Sequence, residues 1–194
     1  MGRWEPDAVG RLRRAALELF EELGYEQTTV ADIAERAGLT ARTFFRYFPD
    51  KREVLFQGAE GLEQTMVEAL MQTPEGATPM SAIAAALGAA GVYFGDVQSF
   101  ARRRRDVIAM NAELRERELT KLAKLSSSLA DALRQRGVDA VEARLAAETG
   151  TAVFHLAFDL WLAVDEHRRF DAIAADLLRR QAWLAAKLLS DLPS

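Results

Sequence analysis

Apolar side chains recur at three- and four-residue intervals along almost the whole chain, and nowhere do they alternate with polar ones between turn signals. In the first clear element Leu12, Ala15, Ala16, Leu19, Phe20 and Leu23 share one face; Pro6–Asp7 suits its start and Gly24 its end. Thr29 and Asp32 have capping-box spacing, so a second helix opens at Val30 and closes by Gly38. Thr40 is placed to cap a third, short helix that stops before Pro49. A fourth is expected from Asp50–Lys51 through Gln72, ahead of the turn cluster TPEGATP at 73–79. Five more follow, over about 80–94, 97–109, 111–136, 139–166 and 170–190. The predicted fold class is all-α, about nine helices with no fixed-period repeat.

The last two helices carry more apolar surface than one small domain needs. Val153, Phe154, Leu156, Phe158, Leu160, Trp161 and Leu162 occupy nearly the full circumference of one. Phe170, Ile173, Ala174, Leu177, Leu178, Leu184 and Leu188 stripe the other, with Trp183 adjoining. A helix apolar all round must be buried on more than one side. A self-associating face supplies that burial, and a two-fold homodimer is the commonest arrangement that does so.

Composition narrows the picture. Hydrophobic residues make up 49% and charged residues 28% of the 194, as in an ordinary globular protein. The absence of cysteine excludes disulfides, thiolate chemistry and Cys-ligated zinc, and a cytoplasmic home fits best. The opening MGRWEPDAVG has charges where a signal peptide would be apolar. The uncharged run at 76–95 contains Pro79 and is rich in Ala and Gly, so a buried helix is expected there and no membrane span. A net charge of −4 argues against a general polyanion binder but not against one local basic surface.

That surface is sought in GLTARTFFRYFPDK, residues 38–51, which interleaves four aromatics with Arg42 and Arg46. Residues 30–48 read as two short helices joined by a tight turn at Gly38–Leu39, the helix-turn-helix pattern. Ala34 and Ala37 are small where the helices approach; Ile33, Leu39 and Phe44 are placed to pack inward. Phe44 and Phe48, four apart, plug the core, which leaves Arg42, Thr43, Arg46 and Tyr47 on the remaining surface. Such a helix lies in a DNA major groove with its N-terminal residues at base edges. Arginine reads guanine in bidentate fashion, and threonine touches a thymine methyl or a phosphate. Tyr47 and Lys51 would clamp the backbone.

The block RLRRAALELFEELGYEQTTVADIAERAGLTARTFFRYFPDKREVLF resembles the N-terminal DNA-binding domain of the TetR family of bacterial transcriptional regulators. Its carriers are Leu23–Gly24–Tyr25, Thr28–Thr29–Val30, Ile33–Ala34, Ala37–Gly38, the aromatic third helix and Lys51, over about a quarter of the chain. The resemblance implies that Thr29, Thr43, Tyr47 and Lys51 contact phosphates or the groove, and that the residues around Ala41 and Arg42 read bases; Thr40 and Arg46 are further DNA-binding candidates beside them. Where many members have a tyrosine this chain has Phe45, which cannot give a hydroxyl contact to phosphate. It further implies a DNA-binding domain at 1–50 and an effector-binding, dimerising domain at 51–194. Such a protein is a repressor on a palindromic operator in double-stranded DNA, released by a small-molecule effector.

In the larger domain Phe94, Phe100, Met110, Phe154, Phe158 and Trp161 are candidates to line an effector pocket or plain core. The Arg102–Arg105 run has two readings: a solvated helix end paired with the acids of NAELREREL, or, with Arg103 foremost, a site for an anionic effector. The segment around it resembles effector domains that bind acyl-CoA-like ligands. His155 and His167 lack zinc-ligand spacing, so no metal is expected, and no cofactor either; His155 is expected to be a hydrogen-bonded core residue. EVLFQG at 53–58 has the look of a viral protease site and is read as part of the fourth helix. No phosphate loop, G-x-S-x-G or plausible nucleophile–base pair points to an enzyme. A helical small-molecule or lipid carrier without DNA binding is the alternative.

Overall fold

The computed structural model describes residues 7–95, 97–163 and 168–191. Among them are nine α-helices and no strand: α1 Ala8–Leu23, α2 Val30–Arg36, α3 Ala41–Tyr47, α4 Ala59–Met71, α5 Pro79–Phe94, α6 Gln98–Ala109, α7 Ala112–Gln135, α8 Ala140–Trp161 and α9 Phe170–Asp191. Pro6, His167 and the end of the helix expected to reach 166 lie outside the described residues. No single described helix is long and apolar enough to cross a membrane. The chain forms two compact units, Met1–Gly58 with Phe100–Leu119 and Ala59–Ser99 with Thr120–Ser194. Neither is continuous in sequence, unlike the linear division at residue 50.

The helix starts follow their caps. Asp7 accepts from the Gly10 amide at 3.0 Å, and Thr29 and Asp32 form the reciprocal box, 3.2 Å and 2.8 Å, that opens α2. Thr40 accepts from Thr43 N at 3.2 Å to open α3, Thr78 from Ser81 N at 3.2 Å to open α5, and Asp139 from Val141 N at 2.8 Å to open α8. Each satisfies an amide that the first turn of a helix leaves without a partner.

One expected element is broken. The fourth helix does not run from residue 50: a 3-10 turn, Arg52–Leu55, comes first, and α4 begins only at Ala59. Asp50 holds that turn by accepting from Arg52 N (2.9 Å) and Glu53 N (3.2 Å), and the Arg52 guanidinium beside it keeps its carboxyl below the ordinary range. Gly58 then takes φ 95°, a left-handed conformation that ends the turn and suits glycine. Val54, Leu55 and Phe56 are thereby buried in the first unit, so EVLFQG is core-forming turn rather than helix.

The core of the first unit gathers Leu12, Ala16, Leu17 and Phe20 of α1 with Ile33, Phe44, Phe48, Val54, Leu55 and Ile108. In the second unit α5 is the central helix, packed on α4, α8 and α9. Its buried Ala82, Ala86 and Ala90 recur every fourth residue and present a smooth strip for close approach. Arg136 ties the end of α7 to the 73–79 turn by donating to the carbonyls of Met71, Thr73 and Pro74 at 3.1, 2.9 and 2.8 Å.

A close backbone approach is that of Gly91 of α5 to the start of α9. A Cβ there would stand 2.9 Å from Asp171 Cβ and 3.0 Å from its backbone nitrogen, with no flexible side-chain end to give way. Gly91→Val is therefore expected to destabilise the protein by about 1–3 kcal/mol, as overpacking does. A melting curve by circular dichroism checks this, and an unchanged midpoint would contradict the packing.

Candidate nucleic-acid interface

The turn between α2 and α3 sets the geometry of everything after it. Gly38 has φ 67°, and the amides of Gly38 and Leu39 return to the carbonyls of Glu35 (2.9 Å) and Ala34 (2.8 Å). Only a residue without Cβ takes this conformation at no cost. The Arg11 guanidinium of α1 donates to the Ala37 carbonyl and lies against Gly38, where a Cβ would meet it at 2.7 Å. A cation thus meets the carbonyl end of α2, where orphan acceptors and the helix dipole favour it.

Beyond the turn, α3 is held by its rings. Phe44 and Phe48 are fully buried, with centroids 5.1 Å apart. Their burial turns Arg42, Phe45, Arg46 and Tyr47 to the outside, all exposed, with Ala41 and Thr43 half-buried. The Thr43 hydroxyl is 3.0 Å from that of Thr40, its N-cap. Arg46 donates to the Tyr47 hydroxyl at 3.0 Å and lies 4.8 Å over its ring, so these two side chains form one platform. Arg42 is exposed on the first turn. The other sequence-derived candidates are more constrained. Thr29 is exposed, but its hydroxyl is 2.7 Å from the Asp32 carboxylate in the capping box. Lys51 is half-buried and donates to the carbonyls of Tyr25 (2.7 Å) and Thr28 (3.0 Å), with its ammonium 4.0 Å from the Tyr25 ring centre.

The charge distribution of the unit explains how an acidic chain presents a basic helix. Arg36 holds Glu22 at 2.8 Å and Glu18 at 3.6 Å, and the pairing keeps the Glu22 carboxyl below its ordinary range. Arg52 bridges Asp50 and Glu113 at 3.0 and 3.1 Å, and Arg117 holds Glu53. The Arg102–Arg105 run joins the same scheme. Arg103 pairs with Glu21 (Nε at 2.8 Å), and Arg105 with Asp106 at 3.1 Å. Arg104 donates to the Leu55 carbonyl at 2.6 Å, meets Glu118 at 3.3 Å and covers the Phe56 ring at 4.9 Å. Burial pulls its guanidinium below the usual value while Glu118 opposes the shift. Several carboxylates of the unit are thus paired with arginines away from α3, which carries none.

Of the pocket candidates, the structure brings four together. Phe94 lies 6.1 Å from Phe154, 5.3 Å from Phe158 and 5.2 Å from Trp161, centroid to centroid, with Phe170 completing the cluster at 5.0 Å. Phe100, Arg103 and Met110 belong to the first unit: Phe100 packs on its core beneath Arg13 at 4.7 Å, and Met110 is exposed. His155, expected in the core, is instead half exposed on α8 with Nε2 4.0 Å from Asp159, because the burying face of α8 is that of Phe154, Ala157 and Trp161. Sequence reasoning missed a groove of about 700 Å³ between α7 and α8, lined by Leu122, Ser126, Ala130, Arg144 and Thr151 among others. Its signal was the run of small residues on α7.

Residues 12–57 match the family model described as bacterial regulatory proteins, tetR family. The helix-turn-helix segment is therefore similar to that of the TetR family, and the curated relatives that match it are named HTH-type transcriptional regulators. The HTH-type transcriptional regulator TcmR of Streptomyces glaucescens is 42% identical over 79 residues, 41% of this chain and 35% of that protein. HbdR of Aromatoleum sp. (strain CIB) is 34% identical over 64 residues, 33% of this chain and 28% of that one. The chain spans about a third of the length of the curated relatives it matches. The fold is shared more widely. FadR of Bacillus subtilis, solved with stearoyl-CoA, superposes with a TM-score of 0.61 at 22% identity, over 88% of this chain and 95% of that one. SmeT, repressor of the Stenotrophomonas maltophilia efflux pump SmeDEF, gives 0.56 at 20% identity over 88% and 87%.

The Lys51 contacts generate a prediction. Two charge-assisted hydrogen bonds hold the start of the 3-10 turn to the α1–α2 loop, so Lys51→Ala should destabilise the protein by about 1–3 kcal/mol. Thermal unfolding in the absence of DNA is the measurement. A wild-type midpoint would mean that the amine has no structural role.

Proposed function

We propose that this protein is a homodimeric, ligand-responsive transcriptional regulator, a repressor that occupies a palindromic operator and is released by a small-molecule effector. The observation that carries the reading is α3 itself: a capped helix of a TetR-family domain that presents Arg42, Arg46 and Tyr47 outward and bears no carboxylate. Arg42, with Ala41, is assigned to base edges; Thr29, Thr40, Thr43, Arg46, Tyr47 and Lys51 are assigned to phosphates and the groove wall. Such a protein works where the chromosome is, in the cytoplasm.

The dimer reading rests on α8 and α9. Val141, Leu145, Leu156 and Leu160 of α8 and Trp183, Leu184 and Leu188 of α9 are exposed in the single chain, and contiguous apolar surface of this kind marks association. Two copies of α3 related by a two-fold axis would meet successive major grooves about 34 Å apart. For the effector, Phe94, Phe154, Phe158 and Trp161 offer an apolar lining in the second unit. An acyl-CoA-like molecule is the favoured class by analogy with proteins of this fold: FadR with stearoyl-CoA, and AibR, solved with isovaleryl coenzyme A and operator DNA. Whatever ligand weakens DNA binding is itself held less well by the DNA-bound form.

Selection of bound duplexes from random DNA tests the reading, with a palindrome of half-sites about 10–10.5 base pairs apart expected. Affinity for the selected duplex should fall with salt at a slope of about −0.9 per phosphate contacted. Arg42→Ala should cost about 1–3 kcal/mol there and relax preference at one position per half-site. Binding without sequence preference, or none from folded dimer, would favour the carrier instead. Leu145→Glu combined with Leu184→Glu should sediment as monomer and lose tight operator binding; a dimer that survives both changes would place the interface elsewhere.

A further inference from the structure

Phe45 differs from the other rings of α3. Phe44 and Phe48 are buried, and Tyr47 has a hydroxyl that accepts from Arg46, whereas Phe45 is 56% exposed and has no polar atom. Its ring stands edge-on to the buried Phe44 ring, centroids 5.6 Å apart and planes at 81°. It lies one helical turn after Arg42 and directly before Arg46, so an apolar surface is placed between two cations. The Arg46 guanidinium engages Tyr47, which leaves the Phe45 ring as the apolar element of the outward face.

A major groove lined by phosphates and polar base edges offers one apolar feature, the 5-methyl group of thymine. We infer that Phe45 reads sequence by packing its ring on the 5-methyl of a thymine in each half-site, a turn of α3 away from the base met by Arg42. The inference rests on the DNA-binding reading above. It assigns the position a role that needs no hydroxyl, and it makes the absence of tyrosine there a specificity device rather than a lost phosphate contact.

The test uses the duplex selected with the wild-type dimer, in which thymidines are replaced singly by deoxyuridine in both half-sites. Deoxyuridine lacks the 5-methyl and leaves pairing and charge unchanged. At one symmetric position the wild type should lose about fourfold per half-site, the effect of one buried methyl. Phe45→Ala should bind the thymidine and deoxyuridine duplexes equally, with a wild-type melting temperature because the ring is exposed. Phe45→Leu, which keeps apolar volume, should retain part of the discrimination and guards against a folding defect in the alanine variant. Wild-type indifference to deoxyuridine at every position overturns the inference, as does a Phe45→Ala protein that stays as sensitive as the wild type. Both results leave the regulator reading standing, whereas failure to select any duplex removes the two together.

Discussion

The burial of two rings, Phe44 and Phe48, governs the first unit. Each stabilises the domain by about 1.5–3 kcal/mol, but their larger effect is on orientation. Phe44 lies on the seven-residue α3 and Phe48 directly follows its last residue, so burying both fixes the rotation of α3 about its axis. No other residue of α3 is fully buried. Arg42, Phe45 and Arg46 face outward because the core admits the other side. The turn at Gly38 and the Arg11 cap then set where α3 starts, and Lys51 anchors the chain just after it ends.

Charge placement is the second constraint. A chain with more carboxylates than guanidinium and ammonium groups would ordinarily repel DNA. Here Glu18, Glu21, Glu22, Glu53, Glu113 and Glu118 each stand beside an arginine of another segment, and Asp50 beside Arg52 of its own turn. These pairs are mostly half-exposed, where an ion pair adds little to stability. Their effect is to offset part of the negative charge of the unit, while α3 itself carries Arg42 and Arg46 and no carboxylate.

Helix periodicity, caps and the recognition motif were legible in the sequence because they depend on residues three or four apart. The Thr29–Asp32 box and the Phe44–Phe48 pair are local events that tertiary context does not rewrite. What depended on distant partners was not legible. Lys51 reads as a groove contact, and nothing in the sequence shows that its amine also sits on the carbonyls of Tyr25 and Thr28, more than twenty residues upstream. The Arg102–Arg105 run reads either as a helix end paired with acids or as an anion site until Glu21, Leu55 and Glu118 are seen around it. His155 shows the same gap, since an apolar sequence neighbourhood does not say which side of α8 faces the core. The broken fourth helix is the intermediate case: Asp50 and Gly58 are visible local signals, but the unbroken apolar spacing around them pointed the other way.

The 3-10 turn has a further consequence for how the protein meets proteases. EVLFQG resembles a viral protease site, yet its Val54, Leu55 and Phe56 are packed in the core and its backbone is coiled. A protease needs such a segment extended in its cleft. Cutting between Gln57 and Gly58 must therefore wait for this part of the domain to open, and when opening is fast its rate follows the population of the open form. The chain carries within its recognition unit a natural reporter of local unfolding, silent while the core is intact.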